Sequence, residues 1–86
     1  MGNNEFEKLC KEIVVKYFND HADITDQKKI TEDDVYIVWC CKVLQNNKAL
    51  VSTNVPDGMY YEITHNGNKN ETYVDVYKKW KNYVVR

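Results

Sequence analysis

The sequence predicts a small α+β domain: an N-terminal helix, a three-stranded antiparallel meander and a C-terminal helix. Three observations carry that expectation. Apolar residues recur at helical spacing from Phe6 to Phe18, three β-rich runs separated by turn residues fill positions 35 to 65, and a second helix-compatible stripe follows.

The first helix is the clearest element. Phe6, Leu9, Cys10, Ile13, Val14, Tyr17 and Phe18 follow the i, i+3, i+4, i+7 pattern without a gap. Glu7 and Lys11, and Glu12 and Lys16, are i, i+4 pairs on the other side, so that side faces water. Asn4 followed by Glu7 has the form of a capping box. The stretch Asp23 to Asp34 is polar apart from Ile24 and Ile30 and reads as a connecting loop.

Residues Val35 to Leu44 are β-branched and aromatic, and apolar at both parities. That pattern suits a strand covered on both faces, hence the centre of the sheet. Gln45 to Lys48 reads as a polar turn, and Ala49 to Thr53 as the returning strand. Pro56-Asp57-Gly58 fixes one φ and supplies a left-handed position, which makes a second turn before a third strand from Met59 to His65. Asn66-Gly67 ends that strand. Beyond it, Tyr73, Val76, Tyr77, Trp80, Tyr83 and Val84 fit a helical stripe that Asn70 could cap. Thr72, Val74 and Val76 also alternate as a strand does, so a short fourth strand stays open.

Length and charge narrow the function classes. With 86 residues the chain supports one hydrophobic core, so residues 1–86 are expected to form one domain. The formal net charge of −1 provides no long-range positive field for nucleic acid or an anionic membrane. Met1 to Glu5 is polar and no run approaches about 20 apolar residues, so the expectation is a cytoplasmic chain without a membrane span.

Catalytic chemistry is not written in the sequence. The three cysteines, Cys10, Cys40 and Cys41, are too few and wrongly spaced for a disulfide framework, and adjacent strand residues face opposite ways, so Cys40 and Cys41 cannot grip one metal. His21 and His65 lack neighbours at ligand spacing, and Gly2, Gly58 and Gly67 are isolated, which excludes a phosphate loop. No enzyme, metal or cofactor is expected.

A candidate ligand site comes from Trp39, Lys42, Asn46, Asn47, Lys48, Tyr60 and Tyr61. A lysine within an apolar strand must find a partner, aromatic rings offer stacking faces, and amides offer directional hydrogen bonds. Together these suit a flat, anionic, nucleotide-like molecule. The same residues have a plain structural reading in which Lys42 pairs with Glu62 across the sheet, the Asn pair makes a turn and the aromatics are core. The lysines Lys78, Lys79 and Lys81, interleaved with Tyr77, Trp80 and Tyr83, fit a surface helix better than a nucleic-acid site.

The wording of the chain adds a context. The runs Asp34 to Trp39, Cys41 to Leu50, Asp57 to Glu62, Asn66-Gly67 and Tyr77 to Trp80, above all Lys42-Val43-Leu44-Gln45-Asn46-Asn47-Lys48, resemble a family of small proteins of unknown function encoded by phages and prophages of Gram-positive bacteria. The resemblance spans nearly the whole chain and brings no catalytic residues with it. It implies a non-enzymatic accessory protein in the cytoplasm of an infected host, acting against host defence by sequestering a small nucleotide-like ligand. The alternative is a stoichiometric inhibitor or regulator that blocks a host protein. A homodimer is a further expectation, because a small open sheet leaves an edge to be paired.

Overall fold

A computed structural model describes residues 1–21 and 29–86. Helix α1 (Asn3–His21) comes first, and the chain re-enters at residue 29, forms a 3-10 turn (Glu32–Asp34) and then builds four strands. These are β1 (Val35–Val43), β2 (Asn46–Thr53), β3 (Met59–Asn66) and β4 (Glu71–Lys78). All neighbours are antiparallel and the spatial order is β1-β2-β3-β4, an uninterrupted meander.

The helix forms where the periodicity puts it. Phe6, Cys10, Val14 and Phe18, one residue per turn, are buried against the inner face of the sheet, with Val35, Ala49, Val51, Tyr61 and Ile63 opposite them. Helix α1 packs on β1 and β2. It starts at Asn3, where Phe6 N–H donates to the Gly2 carbonyl at 3.0 Å, so the expected Asn4–Glu7 box falls inside the first turn. At its other end the Asn19 carboxamide donates to the Ile30 carbonyl at 3.0 Å and accepts from the Ile30 N–H at 2.9 Å. This pair of hydrogen bonds between the side chain and the Ile30 backbone brings Ile30 into the core. The expected connecting loop, Asp23 to Asp34, is therefore partly a core element, and its residues 23–28 lie outside the described residues.

Three expectations are corrected. The C-terminal helix is absent and Glu71 to Lys78 is a full strand, because β3 already offers an open edge and Thr72, Val74 and Val76 alternate along it. A β-branched run beside such an edge gains ladder hydrogen bonds that an isolated helical turn cannot match. The segment near residue 40 is an edge strand, not the centre: β1 pairs only with β2, and Tyr36, Val38, Trp39 and Val43 are exposed. The first hairpin turns at Leu44-Gln45, starting one residue earlier and two residues shorter than expected, with Leu44 at φ 56°. Positive φ at the first loop residue matches the right-handed twist of a tight hairpin, so Asn46 and Asn47 become strand residues paired with Val43 and Lys42.

A bulge decides which side chains share a face. Ile37 pairs with Val51 and Trp39 with Leu50, so Val38 is an extra residue that shifts the alternation. Before it, Val35 and Ile37 face the helix; after it, Cys40 and Lys42 do. Trp39 is thereby turned to the outer face.

Candidate functional site

The outer face of the sheet carries the candidate site. Antiparallel register aligns its side chains in rows: Tyr36, Ser52, Tyr60 and Tyr77 in one, Trp39, Leu50, Glu62 and Asp75 in the next, and Cys41, Lys48, Thr64 and Tyr73 in a third. Trp39 is 42% exposed and Tyr77 51% exposed, so these rings present apolar surface to solvent. Tyrosine and tryptophan are enriched at interfaces, where one end of the ring is apolar and the other wet.

Within it, Leu50, Tyr60, Glu62, Tyr77, Lys78 and Lys79 line a shallow recess of about 420 Å³. Tyr60 and Tyr77 are direct cross-strand partners, which sets their side chains next to each other on one face. The backbone N–H of Lys79 donates to the Gly58 carbonyl at 2.7 Å, and that bond holds the basic rim where β4 ends. Gly58 has φ +71°, so the Pro56-Asp57-Gly58 turn positions the acceptor as well as starting β3. Glu62 contributes an acceptor and pairs with Lys48 at 3.4 Å.

The seven residues named from the sequence divide between the two sides of the sheet. Trp39, Lys48, Tyr60 and Asn46 fall on the outer side, while Lys42, Asn47 and Tyr61 fall on the helix side. Lys42 Nζ donates to the Met1 carbonyl at 3.0 Å, and the ion pair with Glu62 is made by Lys48 instead. Asn46 Oδ1 accepts from the Gly67 N–H at 3.1 Å, which ties the two loops at that end together. Tyr61 is core, its ring 5.6 Å from that of Tyr17 in an edge-on arrangement, and burial pushes its hydroxyl pKa up. Asn47 is 1% exposed, between Lys42 and His65 in the ladder, and neither carboxamide atom has a hydrogen-bond partner among the described residues. The sequence reading misses Leu50, Tyr77, Lys78 and Lys79, which are recess residues. Alternation in β2 reveals Leu50, whereas Tyr77 fits the helical stripe expected of the last segment.

Other groups offer less chemistry. Asn4, Glu7, Lys8, Lys11 and Glu32 border a second recess of about 270 Å³, where the acids and bases offset one another. Burial pushes the Cys10 thiol up to about 12, and desolvation also raises Cys40. Such thiols are poor nucleophiles near neutral pH. Among the described residues no three His, Cys, Asp or Glu side chains group as a metal site, and no helix is long and apolar enough to cross a membrane.

Residues 7–86 match the model of a family of unknown function, DUF6275, a span that runs from the first turns of α1 through the whole sheet to the last residue. No curated protein and no solved structure matches the chain.

Proposed function

The chain belongs to DUF6275, a family without an activity to carry over, and we propose that it is a non-enzymatic binding protein that holds a small, flat, nucleotide-like ligand on the outer face of its sheet. The observation that carries this reading is the recess that Tyr60 and Tyr77 line together with Leu50, Glu62, Lys78 and Lys79. Its volume of about 420 Å³ lies within the roughly 300 to 1,000 Å³ of small-molecule sites. Two tyrosine rings supply stacking surface, Lys78 and Lys79 supply cations for an anionic group, and Glu62 can accept from an amine or a hydroxyl. Lys42, Asn47 and Tyr61, across the sheet, support the fold beneath and take no part. The resemblance to phage-encoded proteins supports a role in the host cytoplasm as an antagonist that removes a signalling nucleotide.

Thermal shift against mono-, di- and cyclic nucleotides tests the reading. A ligand at about 100 times its Kd stabilises a folded chain by roughly 2.7 kcal/mol, which in a domain of this size raises the Tm by about 10 °C or more. Tyr60→Ser and Tyr77→Ser should each remove that rise. A flat response to every nucleotide ends the proposal.

A second reading, a stoichiometric blocker of a host protein, is favoured by a separate observation. Beyond β4 the chain has no regular structure, and Trp80 (96% exposed), Tyr83, Val84 and Val85 stand in solvent beside Lys79, Lys81 and Arg86. Aromatic and basic side chains of this kind anchor protein interfaces. Capture of one host protein in equal amount by the full chain, and its loss on truncation after Lys79, would support this reading; equal capture by both would remove it.

A further inference from the structure

We propose that the β4 edge pairs antiparallel with β4 of a second copy of this chain, about a two-fold axis at Val74, giving one continuous eight-stranded sheet. The two edges of the meander differ. On β1 the Val38 bulge interrupts the ladder, the usual means of blunting an edge. On β4 the register from Glu71 to Lys78 is unbroken, with no proline and no bulge, so its outward backbone groups form a regular template.

The inner face is also unfinished on that side. Helix α1 packs on β1 and β2, and Val74, a helix-side residue by its pairing with Ile63, is left 37% exposed. A two-fold axis normal to the sheet keeps like faces together, so residues of the same parity must meet. With Val74 on the axis, Val74 of one copy lies against Val74 of the other and Thr72 against Val76, which continues the apolar inner layer. On the outer face Tyr73 lies against Asp75 and Glu71 against Tyr77. Glu71 is then diagonal to Lys79 of the other copy, within reach of long side chains, while Asp75 faces Tyr73 directly and meets the carboxylates of the other copy only on the diagonal. The alternative axis at Asp75 sets two carboxylates directly opposite each other and is disfavoured. A net charge of −1 per chain opposes association only weakly.

The pairing goes beyond the ligand reading and stands without it, although it adds Glu71 of the second copy to the rim beside Tyr77. Sedimentation or light scattering of the full chain at about 100 µM should give twice the monomer mass. Val74→Lys, an inward charge on an open edge, should weaken self-association by about tenfold or more. Opposed strand residues have Cα atoms about 4.5 to 5.5 Å apart, within disulfide range, so Val74→Cys in a Cys40→Ser, Cys41→Ser background should cross-link under mild oxidation. Tyr77→Cys, displaced about 20 Å from its counterpart, should not. A monomer at that concentration overturns the proposal, and so does a dimer in which Val74→Cys fails to cross-link. Nucleotide thermal shift reads the ligand proposal separately.

Discussion

Gly67 sits against the backbone of Gln45: a methyl group on Gly67 would overlap the Gln45 carbonyl oxygen and lie 2.8 Å from its Cβ. The β1–β2 and β3–β4 loops are therefore packed together at one end of the sheet, held by Asn46 Oδ1 accepting from Gly67 N–H and by Gln45 Nε2 donating to Asn68 Oδ1. Because the obstacle is backbone, the loops must separate to admit any side chain. Gly67→Ala should cost about 2 kcal/mol or more, of the order of overpacking a close contact, and lower the Tm by roughly 8 °C or more. Chemical denaturation of the two proteins measures it, and an unchanged midpoint would show that the loops do not touch in solution.

Leu44 is strained in the opposite sense. It is 82% exposed, so it contributes little packing, yet it holds φ 56° at the hairpin turn. A left-handed conformation costs a non-glycine residue about 1 to 2 kcal/mol, while the extra unfolded-state freedom of glycine returns about 0.5 to 1. Leu44→Gly should therefore stabilise the protein by about 0.5 to 1 kcal/mol, seen as a higher urea midpoint at unchanged slope. A lower midpoint would mean that the Leu44 side chain packs in solution.

How far the sequence foretold these features depends on whether local pattern or pairing decided them. The α1 stripe from Phe6 to Phe18 was legible because burial there follows one helix's own periodicity. The Pro56-Asp57-Gly58 turn was legible because its residues select their own φ values. The last strand is legible only as an alternative to the helix, since Thr72, Val74 and Val76 alternate while Tyr73, Val76 and Tyr77 also fit a helical stripe, and the edge of β3 settles the matter. Edge and centre were confused for β1 because outward-facing Tyr36, Val38 and Trp39 imitate a strand covered on both sides. The Val38 bulge redistributes the candidate set: it moves Trp39, which parity alone puts on the Ile37 side, to the face of Tyr60 and Lys48, and it sends Lys42 to the helix side.

Asn47 provides a test of the core beneath the site. Its carboxamide is buried with both polar atoms unpaired, an arrangement that costs about 1 to 3 kcal/mol of desolvation. Leucine has nearly the same shape and no polar atom to desolvate. Asn47→Leu should raise stability by about 1 kcal/mol or more, a Tm increase of roughly 4 to 8 °C. A fall in Tm would show that the carboxamide is satisfied in solution, as a buried water would do, and would overturn the desolvation argument.

The three thiols should be distinguishable by reactivity and by alkaline pH. Cys41 is exposed, Cys40 is half-buried with a raised pKa, and Cys10 is buried with its pKa at about 12. Since the thiolate is the reactive form, a thiol reagent at pH 8 should label Cys41 first, Cys40 more slowly and Cys10 only on unfolding. The same burial links Cys10 to stability. In the unfolded chain its thiol ionises near 9, in the folded chain near 12, so above pH 9 the unfolded state has lost a proton that the folded state keeps. The stabilisation is complete below pH 9 and declines as pH rises from 9 towards 12. Cys10→Ala, although weaker overall for its smaller side chain, should show a shallower decline across that window. Equal slopes for the two proteins would mean that Cys10 ionises as readily folded as unfolded, and that the helix does not seal it against the sheet.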